Sequence, residues 1–397
     1  MHPVRLPSSA AERDALSAWP LTSPTFTVEA ELGKGSFGVC FAATRCSPFE
    51  APCRVALKAV PRQELAHHSR EVETLLALRQ AAQHPHLLRL HEYFLHEWPT
   101  HADDARQSIV LWQSFPLYDL DLKKWIAAHG WKAEAAPGRD RHAPFGLDGE
   151  EPRAGTEAER IASAVAVGRQ LARGLVHVHG LGLIHRDLKP ENVLVDGGGG
   201  AGARVVIADF GCAKPSGRPD VERHVPYVCT RPYRAPELLY ASSSYSAATD
   251  VWSLGCVVGE VLCGGLRLFE AAAAEEAKEL QLPAEREEIR GSATQLLVLL
   301  RACGTPDDAE ITAMNPALYA QRPALQGLIL RLPPRDAEPA YCWRQRLGAA
   351  LGDHATSSRD ARALAQLLDG ILRYAPAARP TSAQASDWLE QLAPPGG

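Results

Sequence analysis

From Phe26 the chain alternates apolar and polar residues in short runs, FTVEAEL, VCFAAT and CRVALKAV, separated by turns that contain Gly or Pro. A period of two bounded by such turns predicts antiparallel strands. Residues Gln63–Ala81 change period: Val72, Leu75, Leu76 and Leu78 fall on or near one face of a helix. LLRLHEYF and SIVLW return to strand-like runs, so five strands and one helix predict a small β-rich lobe. Beyond Pro116 the pattern turns helical, with DLDLKKWIAAHG, the longer IASAVAVGRQLARGLVHVHG and an apolar, buried ATDVWSLGCVVGEVLCG. Two helices, around Asp360–Leu372 and Ser382–Leu392, close the chain. Strands followed by helices read as an α+β protein.

A length of 397 residues suits two lobes or domains better than one core. The 46% hydrophobic and 22% charged residues exclude a disordered or collagen-like chain. With a net charge of −5, a general nucleic-acid binder is excluded, although a local basic pocket is not. The nine cysteines are scattered singly with no CxxC pair, which predicts neither a disulfide framework nor a zinc site and favours a reducing compartment. The start lacks an apolar h-region, and no apolar run reaches the ~18 residues of a membrane span, so the expectation is a soluble, cytoplasmic or nuclear protein with no membrane or nucleic-acid partner.

Residues 1–24 carry four prolines and several serines and read as an arm. Residues 25–114 are then the first lobe and 115–397 the second. The second lobe is interrupted by an aperiodic Pro/Gly-rich stretch at about 130–156 and an Ala/Glu-rich, acidic insert at about 271–290. The Gly-rich run within Asp196–Ala203 reads as a hairpin tip.

Gly33-Lys34-Gly35-Ser36-Phe37-Gly38-Val39 lies between two predicted strands. Glycines so spaced let backbone cover phosphates without Cβ clashes, although a glycine-rich hairpin turn serves many folds. A dinucleotide fold would open a helix here, whereas the following residues read as strand. Lys58, in Val55-Ala56-Leu57-Lys58, needs a partner if its strand faces a lobe interior, and Glu71 on the next helix is the candidate. Taken alone, the two read rather as a surface lysine and an unrelated glutamate.

His185-Arg186-Asp187-Leu188-Lys189-Pro190-Glu191-Asn192, then Asp209-Phe210-Gly211 and Ala235-Pro236-Glu237, occur in the order of the protein-kinase signatures. From roughly Phe26 to Leu392 the chain resembles the eukaryotic protein kinases. The resemblance implies a bilobal fold, a β-rich N-lobe with one main helix and a mostly helical C-lobe, and a requirement for ATP and Mg2+. It makes Asp187 the base for the substrate hydroxyl and Lys189 a support for the γ-phosphate. Asn192 and Asp209 become the metal ligands, and Lys58, paired with Glu71, the contact to the α/β-phosphates. Val39, Ala56 and Leu194 are expected to sandwich the adenine, with Trp112–Ser114 as hinge and Leu111 behind it. Leu75, Leu90, His185 and Phe210 should stack between the lobes. Glu237 with Arg379, and Asp250, resemble structural carboxylates rather than catalytic ones.

The stretch Tyr227–Glu237 resembles the activation segment of the group containing cyclin-dependent, mitogen-activated and glycogen synthase kinases. Gly304-Thr305-Pro306 and Met314-Asn315-Pro316 are most similar to the shaggy type, glycogen synthase kinase 3. Val225 stands where the other subgroups carry an activating threonine, which leaves Tyr227 as the activation-loop phosphosite. The counterparts of Arg70, Arg186 and Lys214 form an anion pocket in that type, implying protein substrates primed by another kinase. Scaffold or regulatory proteins dock in the family near the 271–290 region, a surface that the insert would alter or shield. A cyclin-dependent-type kinase and a pseudokinase scaffold are the alternatives; the complete set Lys58, Glu71, Asp187, Asn192 and Asp209 argues against the second.

Overall fold

The structure, a computed structural model, describes residues 26–35, 38–46, 51–61, 65–81, 83–97, 109–129, 156–197, 202–216, 231–239, 242, 246–265, 267–269, 295–296, 298–300, 302–304, 306–315 and 358–392. The N-terminal arm, both inserts and Tyr227 lie outside them. The chain divides into two compact units, Met1–Asp119 with Asp209–Ala213, and Leu120–Ala208 with Lys214–Gly397.

The first unit is built on a five-stranded antiparallel sheet, β1 (Phe26–Gly35), β2 (Gly38–Arg45), β3 (Cys53–Pro61), β4 (Glu92–Glu97) and β5 (Ile109–Pro116), in the order β1-β2-β3-β5-β4. The alternating sequence divides its side chains between two faces. Val39, Phe41 and Ala43 of β2, Val55, Leu57 and Ala59 of β3 and Trp112 of β5 share one face, in a core cluster with Phe26. Aromatic rings knit that face: Phe26 stacks on Phe94 and Phe94 on Trp112. Burying each such large side chain contributes about 1.5–3 kcal/mol. The helix α1 (Leu65–Ala81) buries Glu71, Val72, Leu75 and Leu78 and packs against β3 and the turn at Phe210–Cys212.

One strand expectation and one helix expectation shift. LLRLHEYF starts its strand only at Glu92, because Leu87, Leu88 and Leu90 all point inward. Such a run cannot alternate across a ladder, and it forms irregular chain instead. DLDLKKWIAAHG opens with β6 (Leu120–Asp121), and the helix α2 (Leu122–Ala128) follows. Asp121 is its N-cap, accepting from the Lys124 amide at 2.8 Å, which halts the helix there.

The second unit centres on two helices, α3 (Glu157–Gly180) and α4 (Ala248–Leu262). A capping box between Thr156 and Glu159 starts α3. Every residue of α4 from Thr249 to Leu262 is buried, as its apolar sequence requires. Gly255 lets it approach the helix that ends at Ile371: a Cβ there would meet Ile371 Cγ2 at 2.6 Å. Around them lie α5 (Asp308–Met314), α6 (Arg359–Ile371) and α7 (Ser382–Glu390). Strands β8 (Val193–Asp196) and β9 (Arg204–Ile207) form the hairpin expected around the Gly-rich run, extended by β6. The short β7 (Leu183–Ile184) pairs with β10 (Lys214–Pro215). Among the described residues no helix is long and apolar enough to cross a membrane.

Candidate active site

Each unit gathers one set of chemically capable side chains. In the first, β3 carries Lys58 and α1 carries Glu71, and Lys58 Nζ donates to Glu71 Oε1 at 2.8 Å and to Oε2 at 2.9 Å. Asp209 Oδ1 stands 3.6 Å from the same nitrogen, an ion pair longer than a hydrogen bond. Burial pushes the Lys58 pKa down, but the Glu71 and Asp209 carboxylates outweigh it and hold the ammonium above its ordinary value. Asp209 has a left-handed backbone, φ 58°, and caps the turn at Phe210–Cys212 by accepting from the Gly211 amide. A non-glycine residue there is strained by about 1–3 kcal/mol, which surrounding structure must offset. Of the four expected stacking residues, Leu75, Leu90 and Phe210 are buried in this unit, whereas His185 belongs to the other.

The glycine-rich segment is the β1–β2 turn, with Gly35 paired to Gly38, Lys34 to Val39 and Gly33 to Cys40. Ser36 and Phe37 lie outside the described residues. Gly38 is required by close approach, since a Cβ there would meet the Ala59 carbonyl oxygen at 2.3 Å.

In the second unit, the loop after β7 is held from behind by Asp250 of α4. Its carboxylate accepts from the His185 and Arg186 amides, each at 2.7 Å, and pairs with His179 Nε2 at 2.8 Å. Burial alone would raise the Asp250 pKa, but the His179 hydrogen bond, the two histidine rings and the Arg186 amide keep it below its ordinary value. The anchor holds Arg186 at φ 69°, in the left-handed region, and Asp187 follows it as a buried carboxylate. Lys189 Nζ donates to Asp187 Oδ2 at 2.7 Å, and Asn192 Nδ2 donates to that oxygen at 2.9 Å and to the Asp187 carbonyl at 2.8 Å. Leu194 is half-buried on β8, opposite Asp121 and Val206.

Glu237 and Arg379 form the buried pair, Arg379 Nη2 to Glu237 Oε2 at 2.7 Å and Nη1 to Oε1 at 2.8 Å. Thr249, the Ala248, Arg373 and Tyr374 carbonyls and the Trp252 ring surround it. Lys214 pairs across the ladder with Ile184, two residues before Arg186. The Arg70 side chain lies outside the described residues, as does Tyr227.

Residues 26–389 match the family described as Protein kinase domain. The chain belongs to the protein kinase domain family. It is also similar to the protein named Protein kinase gsk31 of Schizosaccharomyces pombe, 30% identical over 288 residues, which are 72% of this chain and 59% of that protein. The match thus spans less than two thirds of the relative's length. The two units carry the family's bilobal α+β fold, an antiparallel-sheet N-lobe and a mostly helical C-lobe.

Within this kinase domain two expectations about the nucleotide face change. Val39 pairs with Ala59 and its side chain lies in the core cluster, on the face opposite Lys58. Cys40 pairs with Lys58 and takes the place expected of Val39. The kinase glycine pattern runs G-x-G-x-x-G-x-V, and counting two residues past Gly38 finds Cys40 directly. Trp112–Ser114 is not a hinge. Trp112 pairs with Ala59 and Phe94, Gln113 with Lys58 and Tyr93, and Ser114 with Leu57 and Glu92, so strands on both sides flank all three. Trp112 also belongs to the core. The ladder ends at Pro116, and residues 117–119 are the connecting stretch. Leu111 pairs with Val60, which puts it on the Lys58 face with Gln113 and Phe115, while Ala56 pairs with Ala42 and Phe115. Burial raises the Cys40 thiol pKa, outweighing nearby Lys58.

Proposed function

We propose that this kinase domain is an active serine/threonine protein kinase of the shaggy, glycogen synthase kinase 3-like type, which transfers the γ-phosphate of ATP to protein hydroxyls near an existing phosphate. The observation that carries the activity is the completeness of both side-chain sets: Lys58 is paired with Glu71, and Asp187 is oriented by Lys189 and Asn192. A pseudokinase would have no need to keep either.

Asp187 takes the proton of the substrate hydroxyl as its oxygen attacks the γ-phosphorus, and the bond to the β-phosphate breaks with loss of ADP. Lys189, beside Asp187, neutralises charge on the transferred group, and Lys58 binds the α- and β-phosphates. Asp209 and Asn192 are the donors that fit magnesium: one is a carboxylate and the other an amide oxygen, both hard ligands, and the Asn192 NH2 is already committed to Asp187. Magnesium held by them would supply charge neutralisation on the phosphates. Lys34, Gly33, Gly35 and Gly38 present backbone to the phosphates.

The shaggy-type reading rests on Val225, the Gly304-Thr305-Pro306 and Met314-Asn315-Pro316 motifs and the likeness to Protein kinase gsk31. Arg70, Arg186 and Lys214 are its anion-binding residues and Tyr227 its activation-loop phosphosite. The ladder position of Lys214, close in register to Arg186, supports the pocket. Matched peptides with and without a phosphate four residues C-terminal to the acceptor test it. kcat/KM should favour the primed peptide, and Lys214→Ala should cost tenfold or more on that peptide alone, as loss of a charged hydrogen bond does. Equal kcat/KM values for the two peptides would refute the primed pocket.

A further inference from the structure

Gln113 sits in the middle of β5 with its side chain fully buried, and neither its amide nitrogen nor its amide oxygen has a hydrogen-bond partner among the described residues. A buried amide without partners destabilises a fold, and an apolar side chain of the same length would fill the position without that cost. Its retention asks for a role. Two residues flank it directly in the sheet, Tyr93 on β4 and Lys58 on β3. Directly paired residues share a face, so Gln113 and Lys58 project to the same side of the sheet. The Tyr93 hydroxyl leaves the amide unsatisfied, which makes Lys58 the charged donor nearest in register. On its other flank Lys58 faces Cys40, whose thiol burial keeps neutral and which is a weak acceptor.

We propose that Gln113 is a positioning residue for Lys58, a reserve acceptor whose amide oxygen takes the ammonium when Glu71 is not there to hold it. The acceptors that hold Lys58 now both stand outside its sheet. Glu71 rides on α1, and Asp209 precedes the turn at Phe210–Cys212. Gln113 differs: its strand is hydrogen-bonded to the strand of Lys58, so displacement of α1 withdraws Glu71 but cannot withdraw Gln113. An ammonium has three donors, and Glu71 occupies two. With Glu71 absent, Gln113 Oε1 keeps the lysine on the nucleotide-facing side and prevents it from turning to solvent. The amide unsatisfied in the paired state is the cost of that reserve. Nucleotide binding thereby survives loss of the Lys58–Glu71 pair in part.

The inference rests on the assignment of Lys58 to the nucleotide, and a double-mutant cycle separates the two. Calorimetric titration of the full chain with ADP and Mg2+ would compare wild type, Gln113→Met, Glu71→Ala and the double variant, with Lys58→Met as control. Methionine preserves the length of the side chain and removes only its amide. Gln113→Met should change ADP affinity by less than about twofold in the wild-type background. In the Glu71→Ala background it should weaken affinity about tenfold or more, the effect of losing a hydrogen bond to a charged group. The same factor in both backgrounds would make Gln113 a packing residue and overturn the proposal. Should Glu71→Ala not fold, Glu71→Leu closes the same cycle. Unchanged ADP affinity in Lys58→Met would overturn the nucleotide assignment itself, a result distinguishable from failure of the coupling.

Discussion

Two donors converge on one oxygen of Asp187: Lys189 Nζ at 2.7 Å and Asn192 Nδ2 at 2.9 Å both meet Oδ2. The convergence fixes the plane of the carboxylate, since rotating it would break both hydrogen bonds. Orientation here comes from the loop's own residues, and the loop in turn is hung on Asp250 by two backbone amides. Fixing a base before substrate arrives is what general-base catalysis requires.

Asp187→Asn keeps the shape and one acceptor oxygen but cannot take a proton. Turnover of ATP on a peptide substrate should fall by a factor of about 10² or more, with a melting temperature close to wild type. Thermal unfolding and turnover measured on the same preparation check it. Near-wild-type turnover would remove Asp187 from the base role.

The Lys58–Glu71 pair is asymmetric in burial, with the Lys58 side chain 15% exposed and the Glu71 side chain 2%. Lys58→Met leaves a buried carboxylate without its cation, whereas Glu71→Gln leaves Lys58 beside Asp209. Breaking a buried pair typically costs about 3–5 kcal/mol. Lys58→Met should approach that range and Glu71→Gln should stay well below it. Denaturant titrations of both variants measure the difference, and equal losses would show that the two charges are equivalently solvated.

The signature motifs are legible in the sequence because their chemistry fixes their identity. HRDLKPEN and the aspartate before Phe210 need particular atoms, so Asp187, Lys189, Asn192 and Asp209 could be found by reading. Most strands of the N-lobe were equally legible, because their runs alternate; LLRLHEYF does not, and its strand begins only at Glu92. The faces were harder. Val39 and Cys40 are adjacent and both small enough for either side, and a shift of one residue exchanges the core for the nucleotide face. The Trp112–Ser114 error has the same origin: SIVLW ends on an aromatic that resembles a strand end, but Gln113 and Ser114 continue the ladder inward while polar. Nothing in composition announces a buried glutamine, since polar residues normally mark exposed positions.

Asp250 links the fold to pH. Its carboxyl is held below its ordinary value, although burial opposes this, by His179 and by the amide of Arg186. A depressed carboxylate contributes its stability fully above the unfolded pKa of about 3.9 and loses it as pH falls through the lower folded value. The melting temperature of Asp250→Asn should therefore lie below wild type by a constant gap above about pH 5, and the gap should narrow below about pH 4. A gap independent of pH across that window would mean that the Asp250 charge contributes nothing beyond its hydrogen bonds.

Gly38 and Gly33 sit in the same turn region but meet different surroundings. A Cβ at Gly38 would lie 2.3 Å from the Ala59 carbonyl oxygen and 3.2 Å from its carbonyl carbon, both backbone atoms that cannot swing aside, whereas a Cβ at Gly33 meets nothing within 4 Å. Gly38→Ala must therefore push β2 away from β3, and with it the pairing of Cys40 to Lys58. It should destabilise the protein by about 1–3 kcal/mol, the usual cost of forcing an extra carbon into packed structure. Gly33→Ala should stay within about 0.5 kcal/mol of wild type and raise KM for ATP, because its methyl projects into space available only when no phosphate lies against the backbone. Thermal unfolding without nucleotide, followed by ATP titration of turnover, separates the two effects. A Gly33→Ala variant as unstable as Gly38→Ala would show that the turn is limited by backbone conformation and not by the approach of Ala59.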